Sequence, residues 1–228
     1  MSVLIRAAID IIAGPDRSEN ARATVDEKAP YILTGGDTGV HFVSNEFRQT
    51  LDRLGIADYV LRERVVLLHA PGTRFPTTKL DVVAVTPFGV FVVMAMKVGG
   101  RIAPGPDAET LSVINQDGET VLRTSPIRRQ AAVVRSLRAL LVRYACPVES
   151  VAIAAASPCS LHPLLPESIL EAGELYHYLR LRTLRFFSSK QPHVSVTRVV
   201  DVIQSRLDSR PEAFDEHCAR MSAPAVRP

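Results

Sequence analysis

One carboxylate, Asp81, stands inside an otherwise apolar stretch, "LDVVAVTPFGVFVVMAM". The stretch predicts two antiparallel strands joined by a turn at Pro87-Phe88-Gly89. Burying an unpaired carboxylate costs several kcal/mol, so an Asp in such a strand requires a partner, a metal ion or water. Asp81 is therefore a candidate site residue. The alternative is a buried Asp that accepts hydrogen bonds from backbone N–H groups or pairs with Lys79.

The spacing of residues on these two strands suits a metal-dependent nuclease. Side chains two residues apart share a face of a strand, so Asp81 is expected beside Val83 and Val85, and Met94 is expected beside Met96 on the next strand. In a common nuclease arrangement, an acid on one strand converges with an acid and a Lys, two residues apart, on the next. The carboxylates hold Mg²⁺, and the Lys positions the attacking water.

A second group of candidates consists of arginines in the C-terminal half. Residues 1–122 contain 12 Lys and Arg against 15 Asp and Glu, whereas residues 123–206 contain 12 against 5. This basic half favours a polyanionic partner, although a solvated helix surface gives the same count. Arginine binds phosphate and aromatic rings stack on bases, so DNA is the candidate partner; burial of the aromatics in the core is the alternative. The candidate arginines are Arg128, Arg129, Arg135 and Arg138 on one predicted helix, and Arg180, Arg182 and Arg185, among Tyr176, Tyr178, Phe186 and Phe187, on a later one.

The predicted elements place these residues on a sheet and on the helices that cover it. "SNEFRQTLDRLG" predicts a helix with Ser44 as its N-cap and Gly55 at its end. "DYVLRERVVLL" predicts a strand, and Asp117-Gly118 predicts the turn of a later hairpin. After Pro126, an apolar stripe predicts the first arginine-bearing helix, and "SVAIAAAS" predicts a strand covered on both faces. "GELYHYLRLRTLRFFSSK" and "SVTRVVDVIQSRL" predict two final helices.

The composition is that of a globular protein: 228 residues, 46% hydrophobic and 22% charged, with a net charge of +3. The N-terminal "SVLIRAAIDIIAG" is interrupted by Arg6 and Asp10, so no membrane span is expected. This segment lacks the features of a signal peptide and predicts an amphipathic helix that docks on the domain. The three cysteines form no Cys-x-x-Cys pattern; they indicate a reduced, cytoplasmic location and argue against a zinc site.

From about Phe42 to Ser157, the chain resembles the nuclease-related domain (NERD) family, whose fold is similar to that of the PD-(D/E)xK restriction endonucleases. "NEFRQTLDRL" resembles the family's opening helix with its acid at Glu46. "TTKLDVVAVTPFGVFVV" resembles its acid-bearing strand, turn and next strand, followed by "GGRI", "SPIRRQAAVVRSLRALL" and "VAIAAAS". The resemblance implies a DNA nuclease site in which Asp81 and Glu46 bind Mg²⁺. It also implies a role for Gln130, which is displaced by about one residue from the family's Gln. An exposed helix carboxylate and a polar surface amide are the alternatives for Glu46 and Gln130.

The chain departs from the family on the second strand. When the family's second strand is aligned without gaps, its Glu-x-Lys pair falls on Met94 and Met96. A thioether can replace neither a carboxylate that binds Mg²⁺ nor the positive charge of Lys. Two explanations are open. A one-residue β-bulge turns Lys97 into the site, without an acid two residues before it, or the two Met residues were introduced in place of Glu and Lys. We therefore expect hydrolysis to be lost or impaired and Mg²⁺ not to bind tightly.

The sequence as a whole predicts an α/β protein with a restriction-endonuclease-like mixed sheet of four or five strands flanked by helices. We expect residues 1–40 to form a helix and an irregular arm, residues 41–207 the nuclease-related domain with C-terminal helices, and residues 208–228 a flexible tail. The expected function is binding or processing of DNA. The alternative is a non-enzymatic interaction module that holds a protein partner in the former active-site cleft, with the Met pair as its floor.

Overall fold

The computed structural model describes residues 38–71, 73, 76–155, 158–189, 193–208, 210, 212–213, 216–217 and 219. Within these residues, four α-helices accompany a six-stranded and a four-stranded mixed sheet, so the chain is of mixed α/β class as its sequence predicts. The predicted N-terminal helix and most of the predicted arm lie outside the described residues. No helix in the described part of the chain is long and apolar enough to cross a membrane.

The helices are α1 (Thr38–Arg53), α2 (Pro126–Leu140), α3 (Leu175–Ser188) and α4 (Val196–Gln204). The first strands are β1 (Val60–Leu68), β2 (Thr77–Thr86), β3 (Gly89–Met96), β4 (Gly100–Pro104), β5 (Thr110–Ile114) and β6 (Thr120–Thr124). After α2 come β7 (Val148–Ala154), β8 (Cys159–Leu161) and β9 (Ile169–Glu171), and β10 (Leu207–Asp208) follows α4. These bounds agree with the predicted order of helices and longer strands.

Helix α1 begins at Thr38, so the prediction that Ser44 is its N-cap is wrong, and the predicted irregular arm ends earlier than residue 40. Ser44 lies inside the helix and is buried. The apolar stripe that includes Phe47 extends back through Val40 and Val43, all of them buried. Burial of these side chains outweighs the local capping preference of a Ser residue.

The predicted turns are confirmed. Gly55 follows α1 with a φ of 72°, and Gly118 closes the β5–β6 hairpin with a φ of 79°. Only glycine adopts such angles at little cost. Pro87 and Phe88 form the turn between β2 and β3.

The six-stranded sheet has the order β10-β1-β2-β3-β7-β9. Strands β1, β2 and β3 form an antiparallel meander, whereas β7 is parallel to both β3 and β9. This sheet has more strands than the four or five predicted, because β9 and β10 join its edges. Those strands are three and two residues long, which is too short for a periodic pattern to be seen in the sequence.

A separate four-stranded sheet, in the order β6-β5-β4-β8, was not predicted. The chain enters it directly after β3, at Gly100, and returns through α2 to β7 in the main sheet. The β5–β6 hairpin itself was predicted from its turn. Its membership in a second sheet depends on the pairing of β5 with β4 and of β4 with β8, which local sequence does not specify.

Three buried clusters hold these layers together. The first lies between one face of the main sheet and helices α1 and α3, and includes Phe47, Val82, Phe91, Val93, Ala95 and Leu179. The second lies between the other face and helices α2 and α4, and includes Leu80, Val83, Val92, Leu137 and Ile203. The third joins the end of the main sheet to the second sheet, and includes Met96, Ile102, Leu111, Ala152, Ala154 and Ile169.

The described residues of the predicted C-terminal tail contact the domain. Asp208 belongs to β10, Ala213 is buried, and Nδ1 of His217 lies 3.0 Å from the Thr77 hydroxyl oxygen. Strand β10 pairs with β1 through its backbone, and the contact with Thr77 of β2 comes from one side chain, so neither contact leaves a periodic pattern in the sequence.

Candidate functional site

Asp81 lies where the hydrogen-bonded ladder between β2 and β3 ends. The ladder's last pair is Val82 opposite Val93. Beyond it, Asp81 Oδ2 accepts a hydrogen bond from the backbone N–H of Ala95 at 3.0 Å, and Asp81 Oδ1 lies 3.8 Å from Lys79 Nζ. These are the two partners that the alternative to a metal site predicts. The carboxylate thus connects β2 to β3 at a point where the backbones no longer pair.

The backbone is irregular at this same point. Leu80 and Val83 both pack in the second cluster, although residues three apart in a regular strand point to opposite faces. Arg64, which faces Asp81 in the β1–β2 register, has a φ of 51°. The regular alternation from which Asp81 was expected beside Val83 is therefore interrupted at this point of β2. Positive φ at a non-glycine residue is costly, and such residues concentrate at functional sites.

Met94 and Met96 pack on the same side of β3, as their spacing predicts. Met96 is only 4% exposed and Met94 is half-buried, and both belong to the third cluster with Ile102 and Leu111 of the second sheet. The second sheet therefore covers the position at which the family carries Glu-x-Lys. Of the two residues that the alternative places at the floor of a docking cleft, Met96 is thus buried and Met94 is half-buried.

The donor atoms at this position do not fit Mg²⁺. Both oxygens of Asp81 already have partners, and the neighbouring thioethers of Met94 and Met96 are not ligands for a hard cation. Across the described ranges, His, Cys, Asp and Glu side chains form no group of three or more that could hold a metal ion. These residues therefore do not form a site at which a bound metal ion would activate a water molecule.

Glu46 and Lys97 lie on the side of the sheet that α1 covers. Glu46 is half-buried on α1, which packs on the first cluster. The stem of Lys97 lies against Gly39 at the start of α1 and near Ala155. Because β3 stays in continuous register with β7 through Met96, no bulge turns Lys97 onto the Met side. The structure thus separates Glu46 and Lys97 from the Met pair.

Gln130 is 3% exposed, so the alternative of a polar surface position is wrong. Its side-chain oxygen accepts a hydrogen bond from the Ser150 hydroxyl of β7. This bond joins α2 to the main sheet inside an apolar interface, where an unpaired amide would be costly. Gln130 therefore has a clear role in positioning α2.

Helix α2 bears four arginines and no acidic residue along its 15 residues. Arg128 and Arg135 are seven residues apart, which places them on one stripe of the helix. Ala132 and Ala139, both exposed, occupy the same stripe. Because alanine is small, the cations on this face are not screened by larger side chains. We call this surface, made of Arg128, Ala132, Arg135 and Ala139, the α2 stripe.

The other arginines of α2 have different surroundings. Nε and Nη2 of Arg138 donate to the backbone carbonyl of Val148 at 3.0 and 2.8 Å, which anchors the helix to the start of β7. Arg129 is exposed. Arg128 Nε lies 3.0 Å from Glu109 Oε1, but both side chains are more than half exposed, and such pairs contribute little. An incoming phosphate could therefore displace Glu109.

A cavity of about 450 Å³ lies between α2, β7 and α3. Arg135 and Arg138 line it from α2, Arg182 lines it from α3, and Ser150 and Ser168 add hydroxyl groups. The structure thus brings together arginines of the two helices that the sequence named separately. The cavity opens beside the α2 stripe through their shared residue Arg135.

The α3 side of the cavity is a charged network. Arg182 donates from Nε to Glu149 at 3.0 Å and from Nη2 to Glu167 at 2.7 Å, and its guanidinium lies 3.5 Å from the centre of the Tyr178 ring. Tyr178 donates its hydroxyl to Glu149 at 2.8 Å. Burial and the Glu149 charge raise the pKa of Tyr178. Burial alone would lower the pKa of Arg182, but Tyr178 and the two carboxylates raise it.

Glu149 and Glu167 were not among the predicted site residues. Glu149 is a single acid in a strand that is otherwise largely buried, so the argument applied to Asp81 could have found it. Glu167 lies in the connection before β9 and carries no comparable signal. Both carboxylates hold Arg182, so this guanidinium is less accessible to a polyanion than those of the α2 stripe.

The aromatic residues of α3 divide between core and surface. Tyr178 and Phe186 are buried, which confirms the alternative of core packing for these two. Tyr176 lies under the Arg53 guanidinium, 4.5 Å from its ring centre. Phe187 is 49% exposed. Stacking on bases is therefore not a role for the buried rings of this helix.

No protein-family model, curated protein or solved structure matches the chain. The NERD resemblance therefore stays a prediction based on the motifs.

Proposed function

We propose that this chain is a non-hydrolytic DNA-binding protein with a restriction-endonuclease-like core. The α2 stripe carries the proposal: it presents arginines on an exposed face of a helix without a single acidic residue. Arginine offers a planar fork of donors that matches phosphate oxygens in two parallel hydrogen bonds. The basic composition of residues 123–206 adds attraction over a longer range.

Three features support the restriction-endonuclease-like part of the proposal. When the second-sheet strands β4, β5 and β6 between β3 and α2 are set aside, the order α1, β1, β2, β3, α2, β7 agrees with the helices and strands on which the resemblance is based. The acid of β2 also reaches β3 between Met94 and Met96, where the family's catalytic pair is expected. The irregular backbone at Arg64 is a further sign of an ancestral site.

The side chains at the position of the family's catalytic pair do not suit hydrolysis. Met94 and Met96 provide neither an oxygen ligand nor a positive charge, and the carboxylate of Asp81 is bonded to Ala95 and Lys79. Glu46 and Lys97 lie on the side covered by α1. DNA would thus be bound through its phosphates and left intact.

Fluorescence anisotropy with a labelled duplex and a labelled single strand, between 50 and 200 mM salt, tests the proposal. We expect affinity to fall steeply with salt, because bound phosphates release counterions. Arg128→Gln with Arg135→Gln should weaken binding and reduce the slope by about 0.9 for each phosphate that the protein no longer neutralises. The matched control is Arg48→Gln, an exposed arginine on α1 at the opposite face of the main sheet.

Three results would reject the proposal. These are no binding at 50 mM salt, binding that salt leaves unchanged, and equal loss of affinity in the control variant. Salt-insensitive binding of a protein partner would favour an apolar docking module instead. Nicking of supercoiled plasmid with Mg²⁺ or Mn²⁺ that disappears in Asp81→Ala would show that hydrolysis is retained.

A further inference from the structure

Strand β7 has one edge that is only partly covered. Strand β9 pairs with Ala152–Ala154, and Ala152 donates its N–H to the carbonyl oxygen of Ser168 at 2.8 Å. The backbone groups of a strand point alternately to its two neighbours, so those of Ser150, two residues before Ala152, also point to the β9 side. Among the described residues, no strand lies opposite Ser150 there and no backbone group hydrogen-bonds to it from that side. Ser150 therefore presents an N–H and a C=O to which another strand can bind.

This open edge lies inside the cavity of about 450 Å³ between α2, β7 and α3. Arg135 and Arg138 of α2 form one wall of the cavity, Glu149 and Arg182 belong to the opposite wall, and Ser150 lies between them. We call the space bounded by these five residues the β7 slot. An extended peptide binds to such an edge by adding a strand to the sheet through its backbone.

The α2 wall of the slot favours an acidic side chain. Arg135 is exposed, and Arg138 is held by the carbonyl oxygen of Val148, which is a neutral group. Among the described residues, neither guanidinium forms a salt bridge. The wall thus carries two positive charges that no carboxylate of these residues balances. A carboxylate can accept two parallel hydrogen bonds from a guanidinium, so an acid of a bound peptide suits this wall.

The α3 wall has the opposite preference. Arg182 binds both Glu149 and Glu167, so these three side chains together carry one net negative charge. A carboxylate that approached this wall would be repelled, or would have to displace one of the two glutamates. The two walls therefore select different side chains.

Strand geometry converts this difference into a sequence pattern. The side chains of Val148 and Ser150 face α2, since Val148 packs in the second cluster and Ser150 bonds to Gln130. The side chain of Glu149 faces α3, where it accepts the hydroxyl of Tyr178. A peptide residue in register with Ser150 points to the same face as Ser150, and the residues before and after it point to the other face.

We propose that the β7 slot binds an extended peptide with acidic residues at alternate positions. The acidic residues face Arg135 and Arg138, and the residues between them, which are not acidic, face the α3 wall. The backbone of the peptide pairs with the N–H and C=O of Ser150. This binding is additional to the proposed contact with DNA and does not rest on it.

Fluorescence anisotropy with two labelled heptapeptides of equal charge tests the pattern at low salt. Both consist of Val and Thr, with Glu at the third and fifth positions in one and at the third and fourth positions in the other. We expect the alternating peptide to bind about tenfold more tightly, because adjacent Glu residues place one carboxylate against the α3 wall. Arg135→Gln should weaken its binding by about fivefold or more, since a charge-assisted hydrogen bond is lost. Arg128→Gln, at an arginine of the same helix that does not line the cavity, is the matched control.

Amide hydrogen exchange of the unaltered chain, read residue by residue by NMR, reports on the edge itself. The alternating peptide, near saturation, should slow exchange of the Ser150 N–H by about tenfold or more, because this N–H gains an acceptor. The N–H of Val151 points to β3 and is the internal control, whose exchange should not change. This readout requires no substitution and so does not depend on the folding of a variant.

Four results would overturn the proposal. The alternating peptide would not bind, or both peptides would bind equally, which would show attraction by charge without strand pairing. Binding without slower exchange of the Ser150 N–H would place the peptide elsewhere. Slow exchange of this N–H without peptide, in a chain that light scattering shows to be a dimer, would assign the edge to a second copy. DNA binding is distinguishable, because Arg128→Gln should weaken it and should leave peptide binding unchanged.

Discussion

At the scale of single residues, Asp81 shows how a carboxylate can be kept in a buried strand without a metal ion. Its two oxygens bond the N–H of Ala95 and approach Lys79, so the charge is neither unpaired nor free of hydrogen bonds. The backbone of Arg64, opposite Asp81 in β1, has a positive φ that costs about 1–3 kcal/mol.

We predict that Asp81→Ala destabilises the fold by about 1–3 kcal/mol, because the N–H of Ala95 loses its acceptor in a buried position. Asp81→Asn should cost less, since its side-chain oxygen still accepts that hydrogen bond and only the interaction with Lys79 is weakened. Urea unfolding followed by circular dichroism measures both. If Asp81→Ala were as stable as the unaltered chain, or more so, the carboxylate would be retained for function and not for structure.

At the scale of elements, the second sheet determines the surroundings of the Met pair. Strand β3 runs directly into β4, and the third cluster closes over Met96 with Ile102 and Leu111. A methionine suits this interface because its flexible thioether fills irregular space between two sheets.

We predict that Met96→Lys destabilises the fold by more than about 3 kcal/mol, because it buries an ammonium group in an apolar cluster and removes apolar burial. Met96→Leu, which conserves volume, should cost less than about 1.5 kcal/mol and is the matched control. Met94→Glu should be milder than Met96→Lys, because Met94 is half-buried. Thermal unfolding measures all three. A well-folded chain with Met94→Glu and Met96→Lys that nicks plasmid DNA in Mg²⁺ would contradict this prediction and revive the nuclease site.

The sequence predicted the type of an element correctly where its hydrophobic pattern or its turn depends only on neighbouring residues. The apolar side of α2, the covered strand β7 and the Asp117-Gly118 turn have the predicted types because period and turn chemistry determine them. The start of α1 was missed because tertiary burial of Val40 and Val43 overrides the capping preference of Ser44. Sequence likewise placed Asp81 and the Met pair on neighbouring strands, but it did not predict that β4 and β5 would cover the pair. That cover depends on pairings between distant strands.

At the scale of the whole molecule, helices α2 and α3 cover opposite faces of the main sheet. The α2 stripe lies on the side that carries the second cluster, whereas α3 packs on the side that carries the first. The excess of basic residues in residues 123–206 predicted a cationic surface. Part of that surface is the α2 stripe. The network around Arg182 could not be predicted from the sequence, because Glu149 and Glu167 form salt bridges with this arginine from two separate segments of the chain.

The two sheets are joined covalently at Gly100, where the chain leaves β3 for β4. Gly100 has a φ of 96°, and a Cβ added there would lie 2.2 Å from the carbonyl oxygen of Ile114. We predict that Gly100→Ala destabilises the whole chain by about 3 kcal/mol, since it combines an unfavourable backbone angle with a clash against β5. Gly118→Ala is the matched control: its φ of 79° is also positive, but a Cβ there meets nothing within 4 Å, so the cost should be about 1–2 kcal/mol. Because the third cluster belongs to both sheets, urea unfolding of Gly100→Ala should remain a single transition with a lower midpoint. Two transitions, with the later one unchanged from the unaltered chain, would show instead that the second sheet unfolds as an independent unit and does not hold the Met pair in place.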